Sequence, residues 1–220
     1  MKFDFMLTGV GGEGVLTTQV MIARAANIEG HYVRGVQLHG LAQRGGVIPT
    51  FIRFGSEKEV SSPGIMQANA DLILAFEPLE AVRATYYARK EKTTFVINNY
   101  PLVPIYASLF NIPYPTINEI IKKIKPFAKK IHVFNASHLG KEKFGRAIFG
   151  NTILVGIVTG IGLLPLKEDS LREAIKITAP REMENNIKAF ELGLKLGREK
   201  RSTELVTSGI SHGRNYKRLV

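Results

Sequence analysis

The sequence predicts an α/β protein built on a mostly parallel, doubly wound Rossmann-like sheet with helices on both faces. Three observations predict it. Apolar runs of strand length alternate along the chain with longer helical patterns, as successive βα units require. The first run, residues 3–8, leads at once into a glycine block, Gly9-Val10-Gly11-Gly12-Glu13-Gly14, and then into a helical pattern, the strand–turn–helix order of open α/β sheets. The chain of 220 residues is 45% hydrophobic with no linker to divide it, enough for one substantial core. The expected organisation is a single α/β domain over residues 1–200 followed by a C-terminal tail over 201–220.

Taken in order, residues 3–8 read as a strand, 15–27 as a helix and 32–37 as a second strand, a βαβ unit. Residues 47–54 form a further strand and 71–76 a fully buried one. Residues 78–90 read as a helix, started by Pro78 in its first turn and rich in Ala, Leu and Arg. Strands are expected at 94–98 and 131–134, and between them Thr116-Ile117-Asn118-Glu119 is a capping box ahead of a helix over 120–125. A second box, Ser170-Leu171-Arg172-Glu173, is expected to open a helix running through Ile177. Pro180 is expected to begin the last long helix, in which Ile187, Phe190 and Leu194 recur at helical spacing and read as core packing. From Arg201 onward Ser, Thr, Gly and Asn dominate, the composition of a mobile tail unless a partner orders it.

Composition narrows the function. There is no cysteine, which rules out disulfides, thiolate nucleophiles, thiolate-zinc sites and cysteine-ligated iron–sulfur clusters on this polypeptide. The longest apolar run, 153–166, is interrupted by Gly156, Gly160, Gly162 and Pro165 and falls short of the roughly 18 residues of a membrane span. The opening Met1-Lys2-Phe3-Asp4 leads into a strand and not into a signal peptide, so a cytoplasmic location is expected. Thirty Lys and Arg against nineteen Asp and Glu give a net charge of +11, which favours an acidic partner, a nucleic acid or an anionic ligand. The basic residues gather at Lys122, Lys123, Lys125, Lys129 and Lys130 and again at Arg198, Lys200, Arg201, Arg214, Lys217 and Arg218. No aromatics interleave with them as stacking platforms, so solvated faces are favoured over a nucleic-acid surface.

The spacing of Gly9, Gly11 and Gly14 satisfies the dinucleotide fingerprint, but that fingerprint also needs an acid at the tip of the second strand to hold the ribose. Tyr32-Val33-Arg34-Gly35-Val36-Gln37 supplies none, and Glu29 precedes Gly30 at the wrong end of the strand. Nicotinamide binding is therefore disfavoured. Two readings of Gly9, Gly11, Gly12 and Gly14 stay open: a cofactor- or anion-binding turn at a helix N-terminus, or a tight turn that lets helix pack on strand. Glu13 weighs against an anion, since a carboxylate at a helix start opposes the ligand's charge.

A second block, His39-Gly40-Leu41-Ala42-Gln43-Arg44-Gly45-Gly46, combines backbone freedom with reactive side chains. His39 is a candidate general acid or base, Gln43 a group that orients a polar substrate, and Arg44 a clamp for carboxylate or phosphate. The competing reading is a glycine-rich turn with Arg44 in a structural salt bridge.

Together these two blocks resemble the gamma-type domain of 2-oxoacid:ferredoxin oxidoreductases, and within that family the branch acting on indolepyruvate. Ala70-Asp71-Leu72-Ile73-Leu74-Ala75-Phe76-Glu77-Pro78-Leu79-Glu80-Ala81-Val82-Arg83 is similar to the family's strand and helix with its Glu-Pro-x-Glu-Ala segment. Asn151-Thr152-Ile153-Leu154-Val155-Gly156 and Asn186-Ile187-Lys188-Ala189-Phe190-Glu191-Leu192-Gly193 resemble two later helices. The family usually carries Gln where this chain has Glu13, and the stretch beyond Arg201 has no counterpart.

Enzymes of this family decarboxylate a 2-oxoacid on thiamine diphosphate, pass electrons through iron–sulfur clusters to ferredoxin and release an acyl-CoA. This chain has no Gly-Asp-Gly segment to open a thiamine diphosphate and magnesium motif and no cysteine for clusters. The resemblance therefore implies a non-cofactor subunit. Thiamine diphosphate, magnesium and the clusters would lie on a larger partner chain, ferredoxin would accept electrons from the complex, and CoA would be a co-substrate within reach of the glycine turn. His39, Gln43 and Arg44 are then the candidate catalytic residues. Which 2-oxoacid is used stays open, because no motif in this chain measures that pocket. The alternatives are a stand-alone nucleotide-dependent Rossmann-like enzyme, supported by the glycine spacing, and a basic nucleic-acid or scaffold protein, supported by charge.

Overall fold

A computed structural model describes residues 2–38 and 45–212, with side chains described through residue 204. His39, Gln43 and Arg44 lie outside the described residues, as does the end of the basic tail. In chain order the elements are β1 (Phe3–Val10), α1 (Val15–Ile28), β2 (Tyr32–Gln37), β3 (Val47–Gly55), β4 (Leu72–Ala75), α2 (Pro78–Arg83), β5 (Thr94–Asn98), α3 (Ile105–Leu109), α4 (Ile117–Ile124), β6 (Lys130–Phe134), α5 (Ala136–Phe144), α6 (Phe149–Ile161), α7 (Glu168–Thr178) and α8 (Met183–His212).

The strands form one sheet in the order β2-β3-β1-β4-β5-β6. β1, β4, β5 and β6 pair in parallel, and β3 runs antiparallel to both of its neighbours. The sheet is therefore mostly parallel, as expected, but the simple βαβ unit is not formed. β3 stands between β1 and β2. The reason lies in what each strand buries: β3 carries Phe51, Ile52 and Phe54 at 3% exposure or less, whereas β2 leaves Arg34 and Gly35 exposed. A strand buried on both faces belongs inside the sheet, and a half-polar one at its edge. The eight-pair ladder from Phe3↔Phe54 to Val10↔Val47 secures β3 against β1.

Two apolar clusters lie on the two faces. One joins the sheet to α1, α6, α7 and α8 through Phe5, Ile22, Ile153, Ile175 and Phe190. The other joins it to α2 and α4 through Ile73, Phe95, Ala81, Ile120 and Ile124. Inside the first, α6 and α8 meet backbone to backbone. A methyl on Gly193 would stand 2.9 Å from Gly156 Cα, and one on Gly197 would stand 2.9 Å from Gly160 Cα. Helices can approach this closely only where neither carries a side chain at the crossing.

The Thr116 capping box is present, with Glu119 N–H donating to Thr116 Oγ1 and Thr116 N–H donating to Glu119 Oε2 at 2.7 Å. The second box is not. α7 begins at Glu168 with Lys167 in the capping position and no side-chain cap, and Ser170 is buried within the first turn. Glu173, which the box would need to reach back, pairs instead with Lys176 at 3.4 Å. Acidic Glu168 and Asp169 complement the positive end of the helix in its place.

The helix expected over 78–90 ends at Arg83 and tightens into a 3₁₀ turn over Ala84–Tyr87. The carbonyls of Tyr86 and Tyr87 accept from the N–H groups of Ala68 and Ala70, which pulls them out of a helical ladder. Pro180 opens a 3₁₀ turn, Pro180–Glu182, and α8 proper starts at Met183. α8 then continues past Arg201 to His212. Among the described residues no helix is long and apolar enough to cross a membrane.

Candidate functional site

The carboxyl ends of the parallel strands and the start of antiparallel β3 share one rim, where α/β sheets place ligands. Here the two glycine blocks meet. Gly11 N–H donates to Gly46 O at 2.8 Å, and Gly45 N–H donates to Gly11 O at 3.3 Å. The antiparallel insertion of β3 makes this joint possible, because it brings Val47 opposite Val10 and returns the loop that precedes it to the glycine turn.

The turn has an inner and an outer side. On the inner side the Glu13 carboxylate folds back beneath the chain, and Val10 N–H donates to its Oε2 at 2.5 Å. Gly9 is required for this, since a methyl there would stand 2.8 Å from the same Oε2 and 2.9 Å from Val15 Cγ2. Asn151 on α6 secures the turn from the side, its Nδ2 donating to Glu13 O at 2.5 Å. On the outer side, a side chain at Gly12 would meet nothing within 4 Å, and Gly14 caps α1 in the left-handed conformation, φ 80°, with no side-chain hydrogen bond. A cavity of about 240 Å³ opens there, bounded by Gly12, Gly14, Leu16 and Gln37.

Across the rim stand two more carboxylates. Glu77 caps α2 by accepting Glu80 N–H at 3.0 Å through Oε2, while its Oε1 accepts from the Tyr114 hydroxyl and from Leu102 N–H. Glu80 is 2% exposed. Its Oε1 is taken by Arg83, and its Oε2 is buried without a hydrogen-bond partner among the described residues. Burial raises the Glu13 carboxyl to about 7, the Val10 N–H opposing and the charges of Glu77 and Glu80 adding. Burial likewise raises Glu80 to about 7, with Arg83 opposing and Glu77 adding. The Tyr114 hydroxyl is held protonated, first by burial and then by its bond to Glu77. Below them Asn98, at the end of β5, donates to Phe76 O at 3.0 Å and to Ser137 Oγ at 2.8 Å, so the strand ends are cross-linked.

A cavity of about 480 Å³ runs between the joint at Gly11, Gly45 and Gly46 and the pair Glu80 and Arg83, walled by Leu102 and Tyr106. No group of three His, Asp or Glu that could hold a metal ion occurs among the described residues. Of the sequence-predicted positions, the structure brings Gly9, Gly11, Gly12 and Gly14 to this rim, together with Gly45 and Gly46 from the second block. Glu77, Glu80 and Tyr114 carried a local signal only in part: Glu77 and Glu80 flank Pro78 at helix-capping spacing, while Tyr114 arrives through tertiary contact.

Glu29 sits at the end of α1, where its Oε1 accepts from Lys167 N–H at 2.6 Å, far from the rim. β3 intervenes between β1 and β2, and the β2 residue that reaches the cavity beside the glycine turn is Gln37, not an acid that could hold a ribose. A nucleotide-dependent reading of the glycine spacing is not favoured.

Comparison with known proteins agrees with this architecture. Solved structures of similar fold include pyruvate oxidoreductase subunit PORC of Thermotoga maritima, with a TM-score of 0.65 and 19% identity over 88% of this chain and 96% of that one. A second is 2-oxoglutarate:ferredoxin oxidoreductase of Magnetococcus marinus, with a TM-score of 0.68 and 17% identity over 90% of this chain and 31% of that much longer chain. The fold is thus that of 2-oxoacid oxidoreductase gamma subunits. The family model for pyruvate ferredoxin/flavodoxin oxidoreductase matches residues 4–196, and the chain belongs to that family. Indolepyruvate oxidoreductase subunit IorB of Thermococcus kodakarensis is 34% identical over 90% of this chain and 97% of its own length. The pyruvate/ketoisovalerate oxidoreductases common subunit gamma of Pyrococcus furiosus is 27% identical over 82% and 89%.

Proposed function

We propose that this chain is the small, cofactor-free subunit of a 2-oxoacid:ferredoxin oxidoreductase acting on indolepyruvate or a related aryl pyruvate. The observation that supports the reading is the joint between Gly11 and Gly46, which ties the glycine turn to Gly45 and Gly46, the end of the block that resembles the family most specifically. Similarity to IorB over nearly its whole length supports the substrate class.

Thiamine diphosphate, magnesium and iron–sulfur clusters belong, in this reading, to a larger companion chain, since a chain without cysteine offers no thiolate to a cluster. The companion's thiamine diphosphate supplies the electron sink for decarboxylation. This chain's own residues then act around it. His39 exchanges a proton with the substrate, Gln43 orients a polar group and Arg44 clamps a carboxylate or phosphate. The outer side of the Gly9, Gly11, Gly12 and Gly14 turn suits an anionic group of CoA, because Gly12 stands open and the α1 N-terminus has no side-chain cap. The inner side does not, because Glu13 already holds Val10 N–H. Ferredoxin accepts the electrons from the assembled complex.

Co-expression with the cysteine-rich, thiamine-binding large chain that this reading expects in the neighbouring reading frame is the direct test. The pair is expected to co-purify with brown iron–sulfur absorbance and to reduce ferredoxin when given indolepyruvate and CoA, while this chain alone is colourless and inactive. Turnover of a 2-oxoacid or a nicotinamide substrate by the lone chain would end the reading.

A further inference from the structure

We infer that the cleft between α1, the start of α6 and the α7–α8 junction is a binding site for a small aromatic carboxylate that carries a ring N–H or O–H donor. The inference goes beyond the subunit reading and does not depend on it, since neither the Gly11–Gly46 joint nor a companion chain contributes to the cleft. The observation that motivates it is a cavity of about 380 Å³, within the roughly 300–1,000 Å³ of small-molecule pockets. Met21, Phe149 and Ala179 give it apolar walls, and Met21 and Phe149 are only 3% and 2% exposed. A thioether and an aromatic ring both favour a flat π-system as neighbour.

The polar groups of the cleft are sorted by depth, and the sorting specifies the ligand. Thr18 and Thr152 line its inner end, at 2% and 3% exposure. Thr18 Oγ1 donates to Gly14 O at 3.2 Å, and Thr152 Oγ1 donates to Asn186 Oδ1 at 2.6 Å. Asn186 Nδ2 donates in turn to Glu182 O at 3.0 Å, which fixes the orientation of that amide. With their hydrogens committed, the two hydroxyls offer a ligand lone pairs alone and so suit a donor. The outer end has the opposite polarity. Arg181 is exposed there and has no ion pair or hydrogen bond among the described residues. Thr178 Oγ1 accepts from Arg24 Nη1 at 3.2 Å, which leaves its own O–H to donate. Glu182, the acid that lines the mouth, is already held by Arg146 at 3.5 Å and by Asn185 Nδ2 at 3.2 Å. A carboxylate at the mouth therefore pairs with Arg181 and accepts from Thr178, while its ring fills the apolar space behind. A polyphosphate is selected against, because its charges would meet apolar walls and a single unpaired cation.

The test titrates the full chain with indole-3-acetate, which is not a 2-oxoacid and cannot be turned over as one, and reads the emission of the probe itself. The chain contains no tryptophan to obscure it. Saturable binding with emission shifted to the blue is expected for wild type. 3-Methylindole lacks the carboxylate and 1-methylindole-3-acetate lacks the N–H donor, and each is expected to bind about tenfold or more weakly. Arg181→Ala, at an exposed position, is expected to weaken indole-3-acetate by about tenfold or more and to leave 3-methylindole unchanged, because only the acid meets the guanidinium. Arg83→Ala removes the same charge at the rim and is expected to change neither. Absence of saturable binding, equal affinity of wild type for the acid and either analogue, or an indole-3-acetate affinity that survives Arg181→Ala would overturn the inference. Loss of binding in Arg83→Ala in place of Arg181→Ala would assign the probe to the rim cavity and overturn it as well. The subunit reading stands or falls separately, on co-purification with the companion chain.

Discussion

The Glu13 carboxylate occupies the space that a side chain on Gly9 would need, and so a glycine of the apparent nucleotide fingerprint serves an acid of the same turn. Gly9→Ala would force Oε2 off Val10 N–H or push Val15 aside. A loss of roughly 1–3 kcal/mol is expected from such overpacking, read from urea denaturation. A midpoint equal to wild type would show that Glu13 is free to move.

Glu13 and Glu80 both titrate near 7 in the folded protein, above the ordinary value of 4.5. A carboxyl whose folded pKa is raised binds its proton more tightly in the native state, so stability falls as pH rises from about 4.5 to about 7 and is level above that. Glu13→Gln and Glu80→Gln should each flatten part of that fall. The check is the thermal midpoint of wild type and variants at steps from pH 4.5 to 8; parallel curves would remove the two carboxyls from the effect.

Gly193 faces Gly156 across the α6–α8 crossing with no room for a methyl. Gly193→Ala should cost roughly 3 kcal/mol or more, because the added carbon meets backbone and not a side chain that can turn away. Gly64→Ala, where the nearest atom would be Ser62 Oγ at 3.9 Å, is the matched control and should change little. Similar midpoints for the two variants in differential scanning calorimetry would refute the close crossing.

Asp4 is fully buried and its charge is met chiefly by Arg53, whose Nε donates to Oδ1 at 2.7 Å while Nη1 donates to Ser62 O at 2.6 Å. Arg53→Met leaves the buried carboxylate with its lesser partners, Lys2 at 3.4 Å and Asn69 Nδ2 at 3.1 Å, and should cost about 3 kcal/mol. Adding Asp4→Asn to that variant should recover part of the loss. Strict additivity of the two substitutions would show that the ion pair is not coupled.

Arg44, beside the Gly45 and Gly46 that bond to Gly11, is proposed to act on substrate. Arg44→Ala should lower the turnover of the assembled complex by a hundredfold or so, the scale for removing a catalytic electrostatic contact, with the melting temperature nearly unchanged. Equal losses in both would make the arginine structural. His39→Ala with full turnover would take the histidine out of the chemistry.

All six strands were legible in the sequence, most as compact apolar runs and the half-polar β2 by its place after the α1 pattern, and the Thr116 box was legible because capping is settled within four residues. α3 was not, since a five-residue helix that buries nothing has no periodicity to read. α5, Ala-Ser-His-Leu-Gly-Lys-Glu-Lys-Phe, is masked by its central glycine and lysines. Ser170-Leu171-Arg172-Glu173 matched a box that did not form because α7 begins two residues earlier, at Glu168, which places Ser170 inside the first turn and not at the cap. Of the site, the glycine positions could be read from residue types, whereas the raised Glu13 and Glu80 could not, because their shifts come from burial and from the nearby charge of Glu77.

What the amino-acid order determined alone was the alternation of strands and helices, the two glycine blocks with their family likeness, and the want of thiolates that leaves this polypeptide no cysteine ligand for an iron–sulfur cluster. Those properties are local or compositional, and local patterns survive without knowledge of neighbours. Only the tertiary structure decided that β3 separates β1 from β2, that Gly11 bonds to Gly46, and that three carboxylates converge on one rim. Strand partners and carboxyl proton affinities depend on groups far apart in the chain, and only folding brings those groups into contact.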